Sequence, residues 1–354
     1  MTGPRLGDVQ RGPMRPGHQL NVAALESWLA QRELLHGPLQ LEQFQGGQSN
    51  PTYLLHSGER RYVLRKQPPG KVLPSAHRID REYRVISALA AHSAVPVPQL
   101  RGYEQDPALL GTPFYLMDYV PGRLFNAPQL PAVAAPQRRE LYLSKVRTLA
   151  ALHRVSPAAA GLEDFGPTGG YLRRQLQRWG QQYRRDSAGA LPDLDALIVW
   201  LESHLPEDEV TTVVHGDFRF GNLLFDVEGT EVRAVLDWEL ATLGHPLADL
   251  AYCLLPYHLP TGVDGVRGLV GEDLDALVLP KETELLECYC LHVSRNEIPN
   301  WNYYLAFALF RTAAILQGVY QRSLAGNAAD ENARSVGLRA GLMAAWGWQI
   351  AQRK

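Results

Sequence analysis

Apolar residues at Val22, Leu25, Trp28 and Leu29 recur at helical spacing and predict a helix within Asn21 to Leu35. Short strand-like runs follow at Leu39 to Phe44, Thr52 to His56 and Arg61 to Lys66, separated by the turn residues Gly46-Gly47 and Ser57-Gly58. Ala76 to Ala91 places Ile79, Val85, Ile86 and Leu89 on one side of a second helix, and Pro68-Pro69-Gly70 before it forms a non-helical linker. Two more strands are expected at Gln99 to Glu104 and Phe114 to Val120, where Pro121-Gly122 closes the region. Beyond it the pattern turns helical: Pro136 to Val155, Gly170 to Arg185, Asp193 to His204, Lys281 to Val293, Asn300 to Ser323 and Asp330 to Gln352. Only the runs Leu223 to Asp226 and Val232 to Leu236 interrupt it as strands. The plan is α+β and bilobal. A flexible tail over 1–20 precedes a small antiparallel sheet with its helix over 21–120, and a larger helical lobe occupies 121–354. A crevice between such lobes is a favoured place for a ligand.

Composition narrows the function classes more than it changes the fold. With 354 residues, 45% hydrophobic and 20% charged, the chain has ample core for two lobes. A formal charge of -2 gives no reason to expect nucleic acid or an anionic membrane as partner, so any anion site must be local. Cys253, Cys288 and Cys290 form neither a disulfide framework nor a zinc pattern and read as core packing, which suits a reducing, cytoplasmic setting. Met1 to Gly17 lacks the apolar core of a signal peptide. The most apolar stretch, Tyr303 to Val319, is interrupted by Arg311 and Gln317 and reads as a buried helix rather than a membrane span. Nothing in the pattern speaks to oligomeric state.

The chemistry concentrates in His215-Gly216-Asp217-Phe218-Arg219-Phe220-Gly221-Asn222, followed by Leu236-Asp237-Trp238 at the end of an apolar run. A carboxylate, a nearby amide and a second carboxylate in this order suit phosphoryl transfer. Such a site needs a group to orient the acceptor hydroxyl and two oxygen ligands for magnesium. Asp217 takes the first role, and Asn222 and Asp237 take the metal. His215 is expected to hold the loop rather than to titrate, and Asp249 to anchor it from below. Arg219 stays open between a phosphate contact and a loop salt bridge.

Upstream signals fall in a supporting order. Gly47, Ser49 and Asn50 lie between the first two strands, where glycine lets backbone N–H groups approach a phosphate and the two polar side chains add donors. Arg65, at a strand end, is the expected phosphate cation, with Lys66 pointing to the opposite face and Glu82 of the next helix pairing with the cation. Tyr115 to Gly122 reads as an interlobe hinge. There Met117 would back an adenine slot, while the Asp118 carbonyl and Val120 N–H supply its hydrogen bonds.

The H-G-D-x-x-x-x-N and L-D-W segments resemble those of the aminoglycoside phosphotransferase/choline kinase family, over roughly residues 25 to 350. Within it, Gly47 to Tyr53, Leu64 to Gly70, Ala76 to Tyr83, Phe310-Arg311 and Gln317 to Tyr320 are similar to the kinase-like domain fused to some acyl-CoA dehydrogenases. The resemblance implies a protein-kinase-like fold, ATP and Mg2+ as cofactors, and a small-molecule hydroxyl as acceptor, with a hydroxyacyl-CoA or related hydroxy acid as the candidate. His245 departs from the acidic residue that relatives often carry before the proline. Arg173, Arg174, Arg178, Trp179 and Tyr183 are candidate acceptor contacts, and the arginine-rich segment favours an anion. Glu202, Glu207, Asp208 and Glu209 are the acidic counterweight that an aminoglycoside kinase would use. A nucleotide-binding scaffold without catalysis is the other alternative.

Overall fold

The computed structural model describes residues 11–45, 50–70, 77–185, 190–207, 210–324 and 333–353. Its first lobe is an antiparallel sheet of β1 (Arg11–Gly12), β2 (Leu39–Phe44), β3 (Thr52–Ser57), β4 (Arg60–Lys66), β5 (Leu100–Glu104) and β6 (Phe114–Asp118), in the order β1-β2-β3-β4-β6-β5. Strand alternation decides what each face of the sheet does. Tyr53, Leu55, Tyr62, Leu64, Phe114 and Leu116 point outward under α1 (Val22–Ala30). Leu54, Val63, Tyr115 and Met117 point inward and join the main core with Ile79, Val85, Ile86 and Leu89 of α2 (Ile79–His92). A short α3 (Pro107–Leu110) joins β5 to β6. The first helix stops well before Leu35: Asn21 caps its start, and Glu33 swings to φ 56 with Leu34 N–H returning to the Leu29 carbonyl.

The second lobe holds α4 (Ala135–His153), α5 (Tyr171–Arg185), α6 (Pro192–Ser203), α7 (Pro246–Leu254), α8 (Glu282–Val293), α9 (Trp301–Leu324) and α10 (Ala333–Ala351). Two antiparallel pairs lie between α6 and α7 along the chain. One joins β7 (Thr212–Val214) to β10 (Thr242–Gly244), and the other β8 (Leu223–Phe225) to β9 (Val232–Val235). The bilobal α+β architecture is therefore the observed one. The apolar run from Tyr303 is buried inside α9, and among the described residues no helix is long and apolar enough to cross a membrane.

The chain from Arg11 onward is not the mobile tail its Gly/Pro/Arg content suggested. Arg11 and Gly12 pair with Phe44 and Gln43, the Arg15 N–H donates to Gln43 Oε1 at 2.8 Å, and Tyr53 donates to the His18 carbonyl at 2.8 Å. Edge pairing uses backbone groups, so it leaves no hydrophobic period to read. Residues before Arg11, and Gly47 and Ser49 of the expected phosphate loop, lie outside the described residues.

Candidate active site

Strand alternation sets the first half of the site. Val63 and Arg65 share the inner face of β4, while Lys66 turns to the outer face, buried, and donates to the Leu110 carbonyl at 2.7 Å. Arg65 lies deep in the crevice. Its Nε is 2.8 Å from Glu82 Oε2, and its terminal nitrogen donates to Asp237 Oδ1 at 2.8 Å with Glu239 at 3.7 Å. The Nε–H does not point at Glu82, so despite that distance it is a buried donor without a hydrogen-bond acceptor. The surrounding carboxylates outweigh burial and raise the already high pKa of Arg65, keeping it a permanent cation.

Glu82 is fixed by more than Arg65. Asn50 Nδ2 donates to its Oε1 at 2.6 Å, and Tyr115 donates to its Oε2 at 3.0 Å. The Asn50 amide nitrogen is thus spent on Glu82, with His77 on its Oδ1 at 3.1 Å, rather than extended toward a phosphate. Burial pushes the Glu82 carboxyl upward, while the Arg65 charge pulls the other way. Tyr115 is the member of this group that sequence reading missed. Its register opposite Arg65 across β4 and β6 was the available signal.

A cavity of about 240 Å³ opens in front of Arg65. Met117, Asp118 and Val120 of the hinge, Val63, Leu224 and Trp238 line it, together with Asn222 and Asp237 from the other lobe. The Asp118 carboxylate is held outside by Arg101 through two contacts of 2.7 Å, and its N–H by the Gln99 carbonyl at 2.8 Å. The hinge is tied to the catalytic hairpin directly: Arg123 and Phe225 exchange two backbone hydrogen bonds of 2.8 and 2.9 Å.

The loop after β7 is built on a buried carboxylate. Asp249 of α7 accepts the N–H groups of His215 at 2.7 Å and Gly216 at 2.9 Å, and His153 lies 3.4 Å from its Oδ2. Burial alone would raise this carboxyl. Donation from His153 and the attraction of His153 and His215 outweigh it and hold the pKa below the ordinary value. His215 has no exposed surface and both ring nitrogens are engaged: Nδ1 accepts from the Asp217 N–H at 3.2 Å, so Nε2 carries the proton it gives to the Leu236 carbonyl at 2.9 Å. Gly216, where protein kinases carry arginine, sits at φ 84, and a Cβ there would meet the Leu240 carbonyl oxygen at 3.0 Å.

Asp217 and Asn222 face one another across this loop. Asn222 Nδ2 donates to the Asp217 carbonyl at 2.9 Å and to Asp217 Oδ2 at 2.8 Å. Both partners only accept, so the amide must turn its nitrogen to them and its Oδ1 away. Arg219 Nε is 3.1 Å from Asp217 Oδ2, and Tyr252 donates to Oδ1 at 2.5 Å. Burial first, then the Asp217 charge, raises the Tyr252 pKa, so the phenol stays a donor. Asp237 adopts the left-handed conformation, φ 65 and ψ 63, which Asp tolerates better than most residues and which aims its side chain back at Arg65.

A second cavity, also of about 240 Å³, lies on the far side of the loop and shares Gly221 with the first. Arg219, Arg267, Lys145 and Tyr252 line it with Phe220, Leu255, Leu259 and Met343, and no lining residue is acidic. The helix expected to contact an acceptor is not there. Arg174 caps the Pro167 and Gly169 carbonyls, Arg178 packs over Trp179, and Tyr183 is buried against the backbone of Leu191. Their polar period reflects a solvated face over a core face, and Arg173 lines a separate, smaller cavity of about 40 Å³. Glu202 and Glu207 are exposed and line neither cavity, while Asp208 and Glu209 lie outside the described residues. His245 replaces an acidic cap in kind: its Nδ1 accepts the Leu247 N–H at 3.2 Å at the start of α7.

The sequence matches a family profile described as the phosphotransferase enzyme family over residues 40–276. The chain belongs to that family of ATP-dependent, kinase-like phosphotransferases. It is 44% identical over 351 residues to acyl-CoA dehydrogenase family member 10 of Mus musculus, covering 99% of this chain and 33% of that protein. To acyl-CoA dehydrogenase family member 11 of Rattus norvegicus it is 38% identical over 356 residues, covering 98% of this chain and 45% of that protein. The chain thus spans a third to less than half the length of these curated relatives. A solved structure from Ralstonia eutropha, provisionally named an aminoglycoside phosphotransferase, superposes with a TM-score of 0.86 at 39% identity, covering 94% of this chain and 99% of that one.

Proposed function

We propose that the chain transfers the γ-phosphate of ATP, with Mg2+, to a hydroxyl of an anionic small molecule, a hydroxyacyl-CoA or a related hydroxy acid. The observation that carries this reading is the pair of cavities meeting at the loop of Asp217 and Asn222. One holds Arg65 and Asp237, and the other Arg219 and Arg267. The hydroxyl approaches from the second cavity and donates to the Asp217 carboxylate, which aims its oxygen at the γ-phosphorus. As the new O–P bond forms, the bond to the β-phosphate oxygen breaks, ADP leaves, and the hydroxyl proton passes to Asp217. Position matters more here than base strength, which is why the contacts from Asn222, Arg219 and Tyr252 are significant.

Arg65 suits the α- and β-phosphates, since its buried Nε–H lacks an acceptor and its cation is already braced by Glu82. Asn50 supports this indirectly by holding Glu82. Gly47 and Ser49 would add loop donors above the phosphates, and Met117, Asp118 and Val120 the adenine slot. Asn222 Oδ1 and the Asp237 carboxylate are hard oxygen donors that fit Mg2+ and would hold it. When bound, the metal neutralises charge on the β- and γ-phosphate oxygens.

The charge of the second cavity selects among acceptors. Burial and the neighbouring Arg219 charge both lower the pKa of Arg267, so two cations face one space that an anion would relieve. A polycationic aminoglycoside would meet repulsion there. The kinship with proteins named acyl-CoA dehydrogenase family members supports an acyl-CoA acceptor. The test is mass-spectrometric detection of phosphate transfer from Mg-ATP to hydroxyacyl-CoAs, hydroxy acids, amino alcohols and aminoglycosides, with Asp217→Asn alongside. A phosphorylated hydroxyacyl product that disappears in the variant is expected. Tight Mg-ATP binding with no product across the panel would favour a nucleotide-binding scaffold.

A further inference from the structure

Among the described residues no carboxylate pairs with Lys145, a buried cation. Its side chain is about 1% exposed, and Nζ donates to the Cys253 carbonyl at 2.8 Å. The same Nζ stands 4.6 Å over the Phe220 ring and 5.5 Å over that of Tyr142. An ammonium has three donors, and one neutral carbonyl, the Cys253 thiol and two ring faces leave it without a formal counter-charge in an apolar setting. Such a charge is costly unless something negative completes it. Lys145 lines the second cavity.

In that cavity Tyr252, bonded to Asp217, lies beside the proposed seat of the acceptor hydroxyl, and Lys145 is anchored on the neighbouring residue, Cys253. Phe220, Leu255, Leu259 and Met343 line the same cavity. A hydroxyl on a short apolar chain that carries an acyl oxygen fits this combination of donor, apolar wall and cation.

We infer that Lys145 is the specificity-determining residue for the acceptor: its ammonium binds the acyl oxygen, carboxylate or thioester carbonyl, of a hydroxy-acyl acceptor. The inference rests on the phosphotransferase reading above and deepens it. Arg219 and Arg267 favour any anion near the cavity, whereas Lys145 demands an oxygen on the acceptor chain itself. A purely structural Lys145 would serve only the last turn of α7, where a cation on a free carbonyl is favourable.

The experiment compares 3-, 4- and 5-hydroxypentanoate, their CoA thioesters and the matching pentanols as acceptors with Mg-ATP, in wild type and in Lys145→Met. For wild type, kcat/KM for the best acyl acceptor should exceed that for its matching pentanol by about 30-fold or more, as for loss of one contact to a buried charge. Whether the free acid or the thioester leads identifies the source of the oxygen. In Lys145→Met that preference should collapse through the acceptor KM, with Mg-ATP affinity unchanged. Equal use of acyl acceptors and pentanols by wild type would overturn the inference while leaving the kinase intact, as would a preference that survives in a folded Lys145→Met. Should that variant fail to bind Mg-ATP, Lys145→Arg decides: it keeps the charge with a longer, planar head, so the ranking among the acyl acceptors should shift while Mg-ATP affinity holds, and an unchanged ranking would overturn the inference. Absence of any product in wild type would instead remove the phosphotransferase reading, and the inference with it.

Discussion

The two cavities on either side of Asp217 are similar in size and opposite in design. The first sets one guanidinium against three carboxylates, Glu82, Asp237 and Glu239, in a network where nearly every atom has a partner. The second gathers Lys145, Arg219 and Arg267 with no acidic lining residue, against an apolar wall. A pre-paired cation suits a ligand that brings both phosphate and metal, because Glu82 would keep bracing the arginine for phosphate while Asp237 would be available to the metal. A cavity lined by cations, with no carboxylate in its described lining, suits a ligand that brings negative charge alone. This difference in charge is what supports assigning the first cavity to the nucleotide and the second to the acceptor in the proposed function.

The comparison can be broken most severely at the point where the cavities meet. Asp217→Asn should lower kcat by about 1,000-fold with little change in Mg-ATP affinity, measured by single-turnover phosphoryl transfer and titration calorimetry. Next comes the foundation shared by both sides. Asp249→Ala leaves the His215 and Gly216 N–H groups without their acceptor and should cost about 3 kcal/mol in denaturant unfolding. The same residue gives a pH signature. Its folded-state pKa lies below the unfolded value near 3.8, so its contribution is present above that pH and is lost as pH falls through the lower folded pKa. Wild type and Asp249→Asn should therefore converge in stability on strong acidification and separate above about pH 4.

Smaller effects sharpen the contrast between sides. Arg65→Met should raise KM for Mg-ATP by about 30-fold while leaving the acceptor KM in place. Arg267→Gln should do the reverse at about 5-fold, with the loss growing less at high salt because the residue is exposed. Tyr252→Phe removes one of several contacts to Asp217 and should cost kcat about 5-fold. A Tyr252 effect as large as that of Asp217→Asn would mean that the phenol is more than a positioning group.

The gathering of Arg65, Glu82, Asn222 and Asp237 around the first cavity was legible in sequence because it hangs on regular elements and on a contiguous motif. Strand alternation alone separated Arg65 from Lys66, and the spacing of Asp217, Asn222 and Asp237 needed no tertiary information. Asn50 was placed near the site but given to phosphate, since nothing local reveals that its amide reaches Glu82. The second cavity, to which the proposed acceptor is assigned, was not read from the sequence. Arg173 to Tyr183 drew attention as a charged helix, whereas Lys145, Tyr252 and Arg267 come from three distant segments and sit among apolar neighbours that read as core. The three-residue strands β7 and β10 were missed for the same kind of reason, being too short to show a period. Long-range convergence, not local pattern, makes that half of the site.

The most direct measurement is a crystal structure with Mg2+, a non-hydrolysable ATP analogue and a hydroxypentanoyl-CoA. The expected result places the nucleotide in the first cavity with its phosphates on Arg65, the metal between Asn222 and Asp237, and the acceptor hydroxyl within hydrogen-bonding distance of Asp217. A nucleotide bound elsewhere, or an acceptor whose hydroxyl faces away from Asp217 with the second cavity empty, would contradict the division of labour between the two cavities.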